Sequence, residues 1–420
     1  MNLWKKIVNK YNSTSLILRI ACGLVIGCVL ALAFPAATWI TILGDLFLGA
    51  LKSIAPILVF VIVASALAQG SSRLDKRFGV VIFLYMLTTF LAAFLACATS
   101  FLFPQNLVLT NAAQSEVIPQ SLSEVLQNLL TNFVSNPIAA LMDGNYICIL
   151  FWACLFGVAM KSIGSETTKV FLSNTSDAIS QLVRWIINLA PFGIMGLVYS
   201  NVTENGLSIF SQYGKLLLLL VGTMLVMSLV VSPIVAAIFL HCNPYPLVLR
   251  CLKESGLTAF FTRSSAANIP VNMRLCEEMG LDKDMYSISI PLGATINMDG
   301  AAITITIMTL AAANTLGLSV SFPAAVLLSV VSALGACGAS GVAGGSLLLI
   351  PLSCSLFGIS NDIAMQVVGV GFIIGVVQDS VETALNSAGD ALFTATAEFY
   401  QWRKEGRALP EFLTGKKGSK

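Results

Sequence analysis

The chain has 420 residues, of which 56% are hydrophobic and 10% are charged, and its formal net charge is +2 at pH 7. Soluble domains carry roughly 25% charged residues, so this composition excludes an ordinary soluble protein and indicates a polytopic membrane protein. The nearly neutral charge balance also argues against nucleic acid as a partner.

Six apolar runs in the first 241 residues are long enough to cross a membrane as helices. They cover approximately residues 16–34, 39–68, 78–103, 137–160, 179–199 and 215–240. The first run is too long for the apolar part of a cleaved signal peptide, and further runs follow it, so we expect it to be retained as a helix.

Basic residues are distributed unevenly between the loops. They lie around the first run, between the second and third, and between the fourth and fifth, whereas residues 78–160 contain none. Because basic loops stay cytoplasmic, we expect both termini inside and the loop 104–136 outside. Lys52 lies within the second run, and we expect it to pair with Asp45 two turns earlier on the same helix face.

The hydropathy becomes irregular after residue 241. Residues 245–282 are only patchily apolar and contain a polar tip, 262–270, between two short arms. Residues 322–358 repeat this design around a tip, 335–345, that holds five glycines in eleven residues. Glycine costs a helix about 1 kcal/mol relative to alanine. Non-helical backbone is tolerated at membrane depth only where it is buried or lines a cavity. We therefore predict two re-entrant hairpins.

A helix interrupted by Asn, Gly and Asp is predicted after each hairpin. The first, 284–316, contains the sequence Asn-Met-Asp-Gly at 297–300, and the second, 362–399, contains Asp379, Asn386 and Asp390. A hairpin followed by a broken helix, occurring twice, predicts an internal repeat. Such repeats meet near the midplane of secondary transporters, where hairpin tips hold anionic groups and unwound carbonyls coordinate cations.

The region from Asp284 to Trp402 contains seven carboxylates but no lysine or arginine. A carboxylate inside the membrane must face a cavity, a partner or a cation. These acids predict a cation-coupled transporter and not an enzyme. A cation channel favours repeated pore-lining rings over one pair of hairpin units. An intramembrane aspartyl protease requires Asp299 and Asp390 to share a proton, whereas cation-binding acids stay ionised.

Four motifs resemble the dicarboxylate/amino acid:cation symporter family, in the same order over essentially the whole chain. They are Thr262-Arg263-Ser264-Ser265, Ile296-Asn297-Met298-Asp299-Gly300, the glycine-rich second hairpin and Asn386…Gly389-Asp390. The resemblance implies an all-α polytopic membrane protein with eight transmembrane helices and two re-entrant hairpins. It also implies inverted repeats, assembly as a homotrimer in membrane lipid, and an elevator-type transport domain that moves against a scaffold.

The chain divides accordingly into five regions. Residues 1–77 hold scaffold helices 1 and 2, and 78–103 form a third helix that packs with the transport domain. Residues 104–241 hold the extracellular loop and helices 4–6, mainly scaffold. The transport core is 242–400, with hairpin 1 at about 245–282, helix 7 at 284–316, hairpin 2 at 322–358 and helix 8 at 362–399. A basic cytoplasmic tail covers 401–420.

The resemblance implies three sodium sites built from oxygen donors. The first uses Gly293, Asn297, Asn386 and Asp390. The second uses Tyr85, Thr88, Thr89, Asn297 and Asp299. The third is mostly backbone, from Thr295, Ala336 and Ala339. Hard monovalent cations prefer oxygen, and these motifs lack His or thiolate clusters, so they favour Na+ over the proton that some family members use.

The resemblance also implies a site for an amino-acid zwitterion. The substrate carboxylate is held by the tip amide of Ser265 and by Asn386, and the ammonium by Asp379 with Thr383. The spacing of the last three places them on one helical face. The second hairpin closes over the substrate near Val342.

Two departures from the glutamate/aspartate members predict specificity. Those members have an arginine where this chain has Glu382 and a threonine where it has Ala301. An acid at this position repels a second substrate carboxylate. Arg263 can approach Asp379 and Glu382 and be neutralised by them. Within the family, the pattern resembles the bacterial sodium:serine/threonine symporters of the inner membrane. The alternative is a proton-coupled carrier, or one with broader neutral and acidic substrates.

Overall fold

The computed structural model describes residues 14–69, 76–109, 135–339 and 344–414. Within these ranges the chain is a bundle of α-helices without a strand. Six helical segments are long and apolar enough to cross a membrane, and the number is seven if one bent pair is counted as a single span. The prediction of an all-α, polytopic membrane protein is therefore confirmed.

The N-terminal half begins with three long helices, α1 (Leu16–Ala33), α2 (Thr41–Ala68) and α3 (Lys76–Leu102). The predicted run 137–160 is divided between α4 (Pro137–Asp143) and α5 (Tyr146–Ile163). Gly144 ends α4 in a left-handed conformation, with φ at 69°, which favours glycine.

The predicted run 179–199 spans a bend between α6 (Glu166–Asn188) and α7 (Ala190–Asn205). The two helices meet at 52°. Pro191 lies in the first turn of α7 and has no backbone N–H to continue the hydrogen bonds of α6. The run 215–240 forms α8 (Ile209–Val226) and α9 (Ser232–Leu240), joined without interruption by a π-helical turn, Met227–Val231.

Two helical arms form the segment predicted as hairpin 1. The first consists of α10 (Tyr245–Cys251), a π-helical turn and α11 (Leu257–Thr262), and the second is α12 (Ser265–Glu278). Arg263 joins them in a left-handed conformation, with φ at 51°. The Ser264 side chain caps α12 by accepting a 3.2 Å hydrogen bond from the amide of Ala267.

The segment predicted as hairpin 2 also has two arms. They are α15 (Phe322–Ala336), and a 3-10 turn (Ser346–Leu349) followed by α16 (Ile350–Ser355). Residues 340–343, which include Val342, lie outside the described residues. Helix 7 is broken as expected, between α13 (Lys283–Ile296) and α14 (Asp299–Thr315).

Helix 8 differs from the prediction, because α17 (Asn361–Lys404) runs for 44 residues without a break. Asn386, Gly389 and Asp390 do not interrupt it. The side chains of Asn386 and Asp390 find partners at the break between α13 and α14, so they do not compete for the backbone bonds of α17. A short helix, α18 (Glu411–Thr414), follows and packs against α10.

The helices contact one another in two groups. In the first, α1 packs against α7, and α2 packs against α5, α6 and α7. In the second, α17 contacts α8, α9, α11, α12, α13 and α14, and α3 packs against α14 and α15. The most apolar stretches of α13–α14 and α17 are 94% and 83% buried, against 33% to 50% for the other spans. These two helices are therefore screened from lipid.

Lys52 does not follow the prediction of a pair with Asp45. Its ammonium forms an ion pair with Asp362, in the first turn of α17. Seven residues along α2 correspond to about 10 Å, whereas the contact between α2 and α17 brings Asp362 directly to Lys52. The ion pair joins the two groups of helices.

Candidate functional site

The break between α13 and α14 lies against the middle of α17. Asn297 and Met298 leave helical geometry there, so backbone groups on both sides need partners from other helices. The Gly300 amide donates a 2.7 Å hydrogen bond to Oδ1 of Asn386, and the Met298 amide donates one of 3.3 Å to Oγ1 of Thr89. The unwound backbone is thus held by α17 and by α3.

The structure brings together the four residues of the first predicted sodium site. The side-chain amide of Asn297 donates to Oδ1 of Asp390 at 3.0 Å and to the backbone carbonyl of Asn386 at 3.2 Å. Gly293 lies beside them on α13. Asp390 is fully buried, and its Oδ2 has no hydrogen-bond partner among the residues that the structure describes. This cluster therefore keeps one carboxylate oxygen for a ligand.

A second oxygen cluster lies next to the first, between α3 and the start of α14. Oγ1 of Thr89 donates to Oδ1 of Asp299 at 3.1 Å, and Oγ1 of Thr88 lies 3.4 Å from Oδ1 of Asn297. Oδ2 of Asp299 is buried without a hydrogen-bond partner. The structure thus brings together Thr88, Thr89, Asn297 and Asp299, four residues of the second predicted sodium site.

Tyr85 contributes to both clusters. Its backbone carbonyl lies 3.2 Å from Oγ1 of Thr88, in the second cluster. Its hydroxyl lies 3.1 Å from the carbonyl of Asp390 and 2.8 Å from Oγ1 of Thr394, beside the first. Thr394, together with Ser289, is a contact that the sequence did not identify.

The third predicted sodium site gains no side-chain ligand. Thr295 is exposed, and its hydroxyl donates to the carbonyl of Leu292 in its own helix at 2.7 Å. Ala336 and Ala339 are buried at the end of α15. Sγ of Cys337, between them, lies 3.6 Å from the carbonyl of Ile296, so the end of α15 meets the end of α13.

The two carboxylates of these clusters lack a basic partner among the described residues. Two buried carboxylate oxygens without hydrogen bonds are costly unless a cation compensates them. No group of three or more His, Cys, Asp or Glu that could hold a metal ion occurs in the part of the chain that the structure describes. The other donors are amide, hydroxyl and carbonyl oxygens, which suit hard monovalent cations.

Asp379 lies on α17 and binds both hairpins. Nε of Arg263, at the tip of hairpin 1, donates to Oδ2 of Asp379 at 2.6 Å. The amide of Gly344, in hairpin 2, donates to Oδ1 at 3.1 Å. Both charged side chains are more than nine-tenths buried, and Nη1 of Arg263 has no hydrogen-bond partner. The expected approach of Arg263 to Asp379 is therefore observed.

The other residues predicted to bind substrate make no hydrogen bond with the carboxylate of Asp379 among the described residues. Thr383 donates to the carbonyl of Asp379 at 2.7 Å, within α17. Asn386 is buried, and its Oδ1 accepts from Gly300. Ser265 is buried at the first position of α12, and Ala301 is fully buried in α14. Val342 lies outside the described residues.

Glu382 does not contact Arg263 in the structure. Its Oε2 accepts hydrogen bonds from Thr304 at 2.7 Å, from Ser346 at 2.9 Å and from the side-chain amide of Gln378. None of the three donors was predicted from the sequence. Gln378 stands four residues before Glu382, so helical spacing alone indicates that contact. Thr304 and Ser346 come from other elements and require the fold.

Gly293→Ala is expected to lower the thermal stability of the protein. An added Cβ would lie 2.8 Å from Oδ1 of Asp390 and 2.8 Å from the Tyr85 hydroxyl, so these groups must move. Overpacking of this kind costs about 1–3 kcal/mol. Thermal unfolding of the purified protein in detergent measures the effect. In the control Gly222→Ala, on α8, the new Cβ meets nothing within 4 Å, so we expect no loss. Equal melting temperatures for the two variants would contradict the close contact at Gly293.

A profile of the sodium:dicarboxylate symporter family matches residues 16–398 of the chain. The chain is also similar to the serine/threonine transporter SstT of Bifidobacterium adolescentis, with 72% identity over 407 residues, which cover 97% of this chain and 95% of that protein. It is 60% identical over 395 residues to SstT of Streptococcus agalactiae, covering 94% and 98% of the two chains. With SstT of Streptococcus thermophilus, it shares 55% identity over 401 residues, covering 95% and 100%. These matches confirm the family resemblance of the motifs.

Proposed function

The chain belongs to the sodium:dicarboxylate symporter family, and from this premise we propose that it is a sodium-coupled symporter that imports L-serine and L-threonine. One observation carries the proposal. Asp299 and Asp390 are buried side by side with neutral oxygen donors, and each keeps one carboxylate oxygen without a hydrogen-bond partner. The choice of substrate is supported by the names of the similar proteins.

Two sodium ions bind at the two oxygen clusters in this proposal. Asn297 belongs to both clusters, since its side-chain amide reaches Asp390 and its Oδ1 faces Thr88. The break between α13 and α14 holds Asn297 in place, so cation binding and the shape of the break are linked. A third, mostly backbone site involves Thr295, Ala336 and Ala339.

The substrate binds as a zwitterion between the hairpin tips and α17. Asp379 receives the ammonium, with Thr383 beside it, and Ser265 and Asn386 receive the carboxylate. Arg263 stays paired with Oδ2 of Asp379, and the ammonium binds Oδ1 in place of the Gly344 amide. Hairpin 2, which includes Val342, closes over the bound molecule.

Charge distribution supports selectivity for neutral amino acids. The charge of Arg263 is paired with Asp379, so it is not available for a second substrate carboxylate. Glu382 adds a negative charge one turn further along α17, and Ala301 offers no hydrogen-bond donor. Bringing another carboxylate close to these acids would be strongly unfavourable.

We infer eight transmembrane helices in this protein. They are α1, α2, α3, α4–α5, α6–α7, α8–α9, α13–α14 and α17, with two re-entrant hairpins, 245–282 and 322–358. The scaffold comprises α1, α2 and α4–α7. The sixth helix, α8–α9, is assigned to the transport domain, because it packs against α17 and α3. The protein assembles as a homotrimer in the plasma membrane, with both termini cytoplasmic.

Uptake of radiolabelled serine into proteoliposomes tests the function. An inward sodium gradient is expected to drive accumulation, and unlabelled threonine is expected to compete, whereas aspartate and glutamate are not. A proton gradient without sodium serves as the control. Equal accumulation under that gradient would favour a proton-coupled carrier, and competition by aspartate would refute the charge argument for specificity.

A further inference from the structure

Glu382 is enclosed by hydrogen-bond donors from three parts of the fold. Thr304 belongs to α14, Ser346 begins the second arm of hairpin 2, and Gln378 precedes Glu382 by one turn of α17. All four side chains are at most 5% exposed. One carboxylate oxygen, Oε2, accepts from all three donors, at 2.7 Å from Thr304 and 2.9 Å from Ser346. The three donors converge on one oxygen and hold the carboxylate in one position.

The backbone of α14 approaches Glu382 closely. A Cβ at Gly300 would lie 2.9 Å from Cα and 2.9 Å from Cγ of Glu382. The absence of a side chain at Gly300 therefore lets α14 and α17 meet at this point. This contact and the hydrogen bond from Gln378 fix the position of Glu382 independently of Ser346.

The second arm of hairpin 2 is linked to α17 at its first described residues. Gly344 donates its amide to Asp379 at 3.1 Å, and Ser346 donates its hydroxyl to Glu382. Asp379 is shared with Arg263 and is the residue proposed to bind substrate, so its link to Gly344 changes when substrate binds. Glu382 accepts its hydrogen bonds from Thr304, Ser346 and Gln378, none of which is proposed to bind substrate, so its link does not depend on that exchange.

We propose that Glu382 is a positioning residue that fastens the second arm of hairpin 2 to α14 and α17 through Ser346 and Thr304. The strength of this link sets how often the hairpin arm separates from α17. Because separation of the hairpin admits and releases substrate, this role rests on the proposed transport function. The link between Glu382 and the hairpin arm does not rest on the transport function, because it can be measured without transport.

Hydrogen–deuterium exchange of the backbone amides of residues 344–355 tests the proposal. Wild-type protein in detergent with sodium and serine is compared with Glu382→Gln and Ser346→Ala. Ser346→Ala removes the hydrogen bond to the hairpin arm, and Glu382→Gln weakens it by replacing the carboxylate acceptor with an amide oxygen. We expect these amides to exchange about tenfold faster in the first variant, and faster than in the wild type in the second. Ser346→Ala removes only one hydroxyl, so the proposal can still be tested with this variant if Glu382→Gln fails to fold.

The matched control is Thr306→Val. Thr306 lies on the same helix as Thr304 and is also fully buried, but its hydroxyl has no hydrogen-bond partner. Exchange in this variant is expected to equal that of the wild type. The analogous variant Thr304→Val removes a donor to Glu382 and should accelerate exchange in the hairpin arm.

The double variant Glu382→Gln/Ser346→Ala shows whether the two substitutions act through the same hydrogen bond or independently of each other. Because Ser346→Ala removes the hydrogen bond that Glu382→Gln weakens, the double variant should exchange no faster than Ser346→Ala alone. Multiplied effects in the double variant, or wild-type exchange in both single variants, would overturn the proposal. Failure of serine uptake by the wild type would refute the proposed transport function, but the exchange rates would still show whether Glu382 fastens the hairpin arm.

Discussion

Asp379→Asn is expected to abolish measurable serine binding while leaving sodium binding detectable. Asp379 is buried, and it holds Arg263 at 2.6 Å and the amide of Gly344 at 3.1 Å. Asparagine keeps the shape of the side chain but removes the charge that pairs with the substrate ammonium. Truncating one member of a buried charged pair costs about 2–5 kcal/mol. A loss of that size weakens binding by more than about tenfold.

Binding is measured separately for the two ligands on purified protein. Sodium-dependent thermal stabilisation reports sodium, and calorimetric titration with serine at saturating sodium reports the substrate. The control is Asp362→Asn, the same substitution on the same helix, where the side chain is 79% exposed. An exposed ion pair contributes about 1 kcal/mol or less, so the control should bind serine normally. Serine affinity close to wild type in Asp379→Asn would mean that the zwitterion site is elsewhere.

Asp390→Asn and Asp299→Asn are each expected to raise the sodium concentration needed for half-maximal serine uptake by at least about tenfold. Each carboxylate offers a buried Oδ2 without a hydrogen-bond partner. A cation bound to that oxygen loses most of its electrostatic stabilisation when the carboxylate becomes an amide. The amide remains able to accept the existing hydrogen bonds from Asn297 or Thr89, so we expect the fold to persist.

Uptake into proteoliposomes at a series of sodium concentrations measures this effect. The control is Glu398→Gln, eight residues beyond Asp390 on α17. Glu398 is also a buried acid with one unpartnered oxygen, but its contacts are the amide of Asp282 and the side chain of Trp402. It lacks the cluster of neutral oxygen donors, so sodium dependence should be unchanged. Unaltered sodium dependence in both aspartate variants would contradict the assignment of the cation sites.

Two differences between prediction and structure have the same origin. Asn386, Gly389 and Asp390 predicted a break in helix 8, yet α17 continues through them. Asp45 was expected to pair with Lys52, yet Asp362 takes that role. In both cases a side chain that was expected to interact with nearby residues of the sequence binds instead a residue more than 80 positions away, on another helix. Packing between helices decides which contact forms.

The membrane class, the broken helix at Asn297 and the acids of the proposed site could be predicted from the sequence alone. Composition and helical spacing are local properties, and a carboxylate in an apolar run has few physical solutions. The identity of the site residues also followed from motifs that are short and continuous in sequence.

The differences between these acids arise from the packing of the helices around them. Asp299 and Asp390 keep a free oxygen, Asp379 is paired with Arg263, and Glu382 is satisfied by Thr304, Ser346 and Gln378. Apart from Gln378, which lies one helical turn before Glu382, their neighbours in sequence do not distinguish them. The partners come from α3, α14 and both hairpins, so the charge available at each carboxylate depends on which helices meet there.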